Sequence, residues 1–380
     1  MKAVTTILML NVGSLLALGM VMLYSSAAAK DGTHLLMMQS IWCGAGLITA
    51  FFLARIDYRI FKKYAWVLLV ISIILLILVI IPSIGVRRGG SRRWFNLGFA
   101  LFQPSELAKL CLIIALAAYI DRFQRHMSSF FKGLILPSLI IGIVLGLIFV
   151  EPDRGTTALL AAVCGVMLLV AGVKLKHLIP IGALGVALFV FSLLNDPMRG
   201  GRIYSWLHQE ETRTEKGYQG WQSMLAFGSG GTTGLGLGNG RQKLGFVPEG
   251  HTDFILSVIG EELGLVATAG TVIGFLVLMG CGVFIAMRAR DTFGYMLAVG
   301  ITFLTSLQAF INIGVVTGAL PNKGLALPFI SYGGSSLLMT LSCMGILFSI
   351  ALRSTENGDE STTENSSKTI STLTSRELSA

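Results

Sequence analysis

Apolar residues run through this chain in long, nearly unbroken stretches, and most polar residues lie between them. Ten stretches stand out, at about 5–28, 34–54, 64–82, 104–120, 133–150, 156–173, 178–194, 256–287, 293–316 and 331–352. A run of about 18 apolar residues or more predicts a helix that crosses a bilayer, because a rise of about 1.5 Å per residue must cover about 30 Å of hydrocarbon. The pattern therefore predicts an all-α integral membrane protein, a polytopic bundle of about ten transmembrane helices. The eighth stretch is longer than a bilayer needs, so part of it is expected to tilt or to lie outside the core. The first follows Lys2 and ends at Ala27, Ala28 and Ala29, much like a cleaved signal peptide. Its apolar run is longer than a signal core, which favours an uncleaved first span.

Two polar regions complete the layout. The loop 195–252 is rich in glycine, with Gly228, Gly230, Gly231, Gly234, Gly236, Gly238 and Gly240 close together. The segment 354–380 is rich in Ser and Thr with almost no large apolar side chains. It cannot bury a core and is expected to be a disordered tail. The expected organisation is a membrane domain over 1–353, with 195–252 as one long extracytoplasmic loop, followed by a cytoplasmic tail over 354–380.

Composition agrees with a membrane protein, since 53% of the 380 residues are hydrophobic and only 13% are charged. The net charge of +9 does not indicate nucleic-acid binding, because the basic residues gather in short loops between apolar runs. Arg55, Arg59, Lys62 and Lys63 follow the second run, and Arg122, Arg125 and Lys132 follow the fourth. Lys174 and Lys176 follow the sixth, and Arg288 and Arg290 the eighth. Such loops stay in the cytoplasm, which places both termini there. Arg87, Arg88, Arg92 and Arg93 break the rule, on the expected outer side. Either a span is miscounted or they form a cationic surface for an anionic ligand, and charge alone does not decide. The five cysteines lie in apolar stretches without metal-ligand spacing and read as small buried hydrophobes.

Candidate chemistry concentrates in a few polar segments. Pro248 to Ile255 carries Glu249, His251 and Asp253 at spacing two, which would place all three on one side of an extended chain. Asp253 is either a catalytic acid–base group or, with Thr252, a helix N-cap. Glu106 and Lys109 lie three apart after Pro104, on one face of a helix, as a neutralising pair or an intramembrane site. Glu151, Asp153 and Arg154 form either a solvated turn or part of an outer cavity. The Gly-rich run lacks the context of a dinucleotide fingerprint; it is a flexible loop or an anion nest beside Arg241 and Lys243. Around Lys323 and Ser331, glycines and hydroxyls serve helix packing or line a site opposite Asp253.

Taken together, RRWFNLG at 92–98, FQPSELAK at 102–109, EPDRGT at 151–156, GLGNGRQKLGFVPEGHTDFI at 236–255 and INIGVVTGALPNKGLALPFISYGGSS at 311–336 resemble the SEDS family of bacterial cell-wall proteins. The resemblance runs from the first span to Leu352 and is greatest to the cell-division branch, rather than the elongation branch; the sporulation branch stays open. Arg154 and Gly250 depart from the family's usual residues, and neither is the aspartate.

The resemblance implies a multi-pass protein of the bacterial inner membrane at the division septum. It implies a peptidoglycan glycosyltransferase that polymerises lipid II, partnered by a class B penicillin-binding protein and other divisome membrane proteins. It makes Asp253 the match of the family's essential aspartate and places Glu106 and Lys109 in a central cavity. Arg92, Arg93, Glu106, Lys109, Glu151, Asp153, Gln242, Lys243, Glu249, His251, Lys323 and Ser331 are then the expected substrate-binding residues. An α-linked donor yielding a β-linked glycan requires one base at the acceptor hydroxyl and positive charge at the leaving pyrophosphate. Asp253 is the expected base, and Arg92, Arg93, Lys109, Lys243 or Lys323 the expected charge, which a divalent cation (Mg or Mn) would share. A lipid II flippase and a non-enzymatic scaffold for a transpeptidase are the alternatives.

Overall fold

The computed structural model describes residues 1–27, 33–88, 91–98, 100–194, 201, 204–208, 210–214, 217–245 and 250–354. Glu249 and the expected tail beyond Ser354 lie outside the described residues.

All ten apolar stretches are helical. The first seven form α1 (Lys2–Ala27), α2 (Thr33–Arg55), α3 (Arg59–Ile80), α4 (Pro104–Phe123), α5 (Leu136–Val150), α6 (Arg154–Val170) and α7 (Leu175–Leu194). A further helix, α8 (Tyr218–Gly230), lies within the long polar loop. It precedes α9 (Ile255–Met287), α10 (Thr292–Val316) and α11 (Gly334–Ser354). Among the described residues, seven helices are long and apolar enough to cross a membrane by length and composition. The other three expected spans differ for visible reasons. Glu106, Lys109, Asp121 and Arg122 make α4 too charged, while the apolar parts of α6 and α7 are shorter, at Arg154–Val170 and Leu175–Phe191.

The chain is not wholly helical. Between α3 and α4 it forms three short antiparallel strands, β1 (Val86–Arg88), β2 (Ser91–Asn96) and β3 (Leu101–Phe102), in the order β1-β2-β3. The arginine-rich loop pairs as two antiparallel strands, with Arg87 opposite Arg92.

At α3 and α11 the helix starts away from the expected residue because side chains found partners. α3 begins at Arg59, before the expected 64, and Lys62 in its first turn pairs with Asp121 near the end of α4. α11 starts at Gly334 because Ser331 is committed to a turn, accepting from Leu327 N at 2.8 Å and donating to Thr252 O at 2.6 Å. The overlong eighth stretch is interrupted at Gly264, whose φ of 71° and ψ of −168° break the helix.

α4 is the centre of the bundle, buried on every face from Pro104 to Ile120. From Leu110 to Ile120 the helix is apolar on nearly every face, and the Glu106–Lys109 pair buries the charges of its first turns. α3, α5, α6 and α10 pack around it, and α9 packs against α1, α8 and α10. Water supplies little drive for helix association inside a bilayer, so close packing of small residues matters more. Gly19 of α1 lies against the backbone of Phe329 and Ile330, Gly345 of α11 against Ala50 of α2, and Gly230 of α8 against Gly260 of α9. In each case a Cβ would collide with backbone. α7 packs on α6 and is exposed along most of its length.

Candidate active site

Asp253 sits where the polar loop enters α9. Residues 250–254 form turns, not a strand, so His251 and Asp253 do not alternate along an extended chain, while Glu249 lies outside the described residues. The expected cap also fails: the N-cap position is Phe254, with φ of −107° and ψ of 19° and no side-chain capping bond. Neither Thr252 nor Asp253 occupies that position.

Asp253 is held from below by the segment 321–331, which connects α10 to α11. Asn312 of α10, fully buried, donates from Nδ2 to Asp253 O at 2.7 Å and to Leu325 O at 2.6 Å. Ser331 fastens Thr252, and Tyr332 N donates to His251 O at 3.0 Å. The His251 ring leans on Tyr332, with centroids 6.0 Å apart. The carboxylate lies directly over Gly324, where a Cβ would collide with Asp253 Oδ2. Next to it, the Lys323 chain passes against Gly155 at the start of α6, where a Cβ would lie 2.9 Å from its Cε. Its Nζ stands 5.4 Å from the centre of the Phe189 ring on α7.

A polar track descends from this point into the bundle. Gln308, one helical turn from Asn312, donates to Ala326 O at 2.8 Å and accepts from Lys109 Nζ at 3.0 Å. Lys109 pairs with Glu106 Oε1 at 3.0 Å, and both side chains are nearly inaccessible. Pro104 opens α4 as the sequence predicts, which puts the pair in its first turns. Glu106, Lys109, Thr305, Gln308 and Thr340 line one small cavity, together with apolar side chains from α4, α10 and α11. Inside hydrocarbon such an ion pair persists because each charge is compensated.

The turn from α5 to α6 is buried rather than solvated. Glu151 and Asp153 are 1% and 6% exposed. Asp153 caps α6, accepting from Thr156 N at 3.2 Å and Thr156 Oγ1 at 3.0 Å. Arg93 turns inward from β2 and donates to Glu151 O at 2.9 Å and Pro152 O at 2.6 Å, with Asp153 Oδ2 at 3.8 Å. Both carboxyl oxygens of Glu151 are buried without a hydrogen bond. Burial pushes its pKa from the ordinary 4.5 up to about 8; Asp153 adds to the rise and Arg93 opposes it. Arg92 stays half-buried on the hairpin opposite Arg87.

The Gly-rich run is an anion nest, and its anions are the protein's own. Gly238 N donates to Glu262 Oε2 at 2.9 Å, while Arg241 N and Gln242 N donate to the Glu261 carboxylate at 2.9 and 3.1 Å. Lys243, expected at the pyrophosphate, uses all three ammonium donors internally. They reach Glu262 Oε1 at 2.8 Å, Ser25 Oγ at 2.9 Å and Gly238 O at 2.7 Å.

The sequence reading passed over Gln308, Asn312, Glu261 and Glu262. The signal was present: polar residues four apart in α10 and two adjacent acids in an apolar span are rare unless they serve a purpose. Among the described residues no group of three or more His, Cys, Asp or Glu side chains is placed to hold a metal.

Comparison with known proteins agrees with this architecture. The family profile described as "Cell cycle protein", covering FtsW, RodA and SpoVE, matches residues 4–356. A relative from Trichlorobacter lovleyi, named probable peptidoglycan glycosyltransferase FtsW, is 44% identical over 352 residues, covering 91% of this chain and 92% of its own. Stage V sporulation protein E of Bacillus subtilis is 39% identical over 346 residues, covering 89% and 94%. Among solved structures, a chain from a peptidoglycan synthase complex described as coordinating polymerization and crosslinking superposes with a TM-score of 0.78 at 30% identity, covering 91% of this chain and 97% of that one. The Rod shape determining protein RodA of Thermus thermophilus gives 0.66 at 28% identity, covering 90% and 94%. A seven-helix core with shorter helices, a buried Glu106–Lys109 pair and a profile match over nearly the whole chain lead to one conclusion: this chain belongs to the FtsW, RodA and SpoVE family of cell cycle proteins.

Proposed function

We propose that the chain is a peptidoglycan glycosyltransferase that polymerises lipid II with inversion at the donor sugar. The observation that carries this reading is the seating of Asp253. Its backbone is fixed by Asn312 and its carboxylate lies over Gly324, with the next residue, Lys323, a cation. A lipid-linked disaccharide brings a sugar that needs a base and a pyrophosphate that needs positive charge. Asp253 takes the proton of the acceptor 4-hydroxyl as that oxygen attacks the donor's anomeric carbon. The anomeric C–O bond breaks, and the lipid pyrophosphate leaves with the electron pair. Inversion requires one displacement and hence one base.

Lys323 and Arg92 are the cations assigned to the pyrophosphate. Arg93, Lys109 and Lys243 hold the protein's own acceptors around the site. A divalent cation has no donor cluster among the described residues, so no step is routed through one.

In this reading the Asp253 end of the bundle faces outward, and the basic loops at the other end, with both termini, face the cytoplasm. A class B penicillin-binding protein is the inferred transpeptidase partner, other divisome membrane proteins are further partners, and the septum of the bacterial inner membrane is the inferred location. The similarity to the peptidoglycan synthase chain supports the partnership.

The test is incubation of the purified pair with labelled lipid II. Glycan strands on a gel are expected. Movement of lipid II between leaflets of sealed vesicles, with no strands formed, would contradict the reading and favour a flippase. Neither activity would favour a scaffold.

A further inference from the structure

We propose that Glu262 and Lys243 are positioning residues for the proposed base, clamping the far end of the short helix that begins just after Asp253. The proposal rests on the glycosyltransferase reading for its kinetic readout, and on geometry alone for its structural one.

α9 is broken at Gly264, so the segment 255–263 does not inherit its direction from the long helix that follows. Its orientation depends on what holds its two ends. At the start, Asn312, Ser331 and Tyr332 hold the backbone of residues 251–253. At the other end, the Gly-rich loop folds against the break. Leu235 N donates to Glu261 O at 3.0 Å, Gly236 N to Glu262 O at 2.9 Å and Leu265 N to Gly231 O at 3.0 Å.

The side chains then lock this loop to a third element. Glu262 is fully buried and accepts from Ser25 Oγ near the end of α1 at 2.7 Å, from Gly238 N at 2.9 Å and from Lys243 Nζ at 2.8 Å. Lys243 in turn spans Ser25 and Gly238 O. One carboxylate and one ammonium thus join α1, the Gly-rich loop and the end of the Asp253 segment. At about 1.5 Å per residue, the cluster sits about 10 Å along the helical piece that begins at Ile255, two residues after Asp253. A shift at one end is therefore carried to the other, and a displacement of about 1 Å in a reacting group is enough to cost about a hundredfold in rate.

The experiment uses the full chain in complex with its transpeptidase, with Lys243→Met, Glu262→Gln and the double variant. Each single change leaves a buried partner uncompensated, whereas the double change removes both charges. The expected result is that the double variant recovers most of the wild-type Tm, while all three lose about tenfold or more in kcat with KM changed by less than about threefold. Amides of residues 250–263 are expected to exchange faster in all three. Wild-type kcat in the double variant, or kcat that simply follows Tm across the series, would overturn the proposal as a mere stability effect. If the wild-type complex does not polymerise lipid II, the glycosyltransferase reading fails, and amide exchange then decides the positioning claim: unchanged protection of 250–263 in the variants overturns it.

Discussion

Gly324 is the residue on which Asp253 rests, and its lack of a side chain is what makes room for the carboxylate. Gly324 itself is exposed, so adding a methyl group there displaces the carboxylate without opening the core. Gly324→Ala is expected to lower lipid II polymerisation by about tenfold or more while leaving thermal stability nearly unchanged. A variant with full activity would separate Asp253 from the site. Glu151 offers a second test, because its carboxyl is buried without a partner. The folded protein keeps the Glu151 proton up to about pH 8, whereas the ordinary value is 4.5. For a pKa raised on folding, the group's favourable contribution is complete below 4.5 and is lost as pH rises through about 8. Glu151→Gln, which cannot ionise, should therefore melt close to wild type at about pH 5 and above wild type at about pH 9. Thermal unfolding in detergent across that range checks it; a difference independent of pH would contradict a neutral buried Glu151.

At the scale of elements, the break in α9 is the least expected device and the most consequential. Gly264 adopts a left-handed φ of 71°, and its Cα faces Thr232 O and Gly234 N with no room for a Cβ. Gly264→Ala should destabilise the fold by about 1–3 kcal/mol from backbone strain alone. It should also expose 231–245 to proteolysis, which limited digestion would reveal; an equally resistant loop would mean the break does not seat it. The sequence showed the overlong run but not its remedy, because the remedy is a contact with a loop about thirty residues earlier. The helices were legible for a simpler reason: each spanning segment must satisfy its own backbone hydrogen bonds, so composition and length suffice. Their ends were less legible wherever a side chain chose a distant partner, as Lys62 does with Asp121 and Ser331 with Thr252. α8 escaped because the loop around it is polar, although buried Ser223, Ala226 and Gly230 at spacings of three and four form a packing stripe. In the site, Glu106 and Lys109 could be paired from spacing alone. Arg93 and Lys243 could not be distinguished from cations available to a ligand, since their acceptors at 151–153 and Glu262 are remote in sequence.

For the whole molecule, charge gathers at the two ends of the bundle with different roles. One end carries the basic loops around Arg55, Arg122, Lys174 and Arg288; the other carries Asp253, the arginine hairpin and the Gly-rich nest. The buried track from Asn312 through Gln308 to Lys109 leads inward from the second end. In a cell, a cysteine at Arg87 should react with an impermeant maleimide from outside, and one at Lys63 only after permeabilisation. The reverse pattern would invert the topology and remove the outer-surface reading. The central claim is that the Asp253 carboxylate takes the acceptor proton, and the most direct measurement compares wild type with Asp253→Asn in the purified complex supplied with lipid II. The account predicts normal assembly and substrate binding with glycan strands absent; strands formed at the wild-type rate would contradict it.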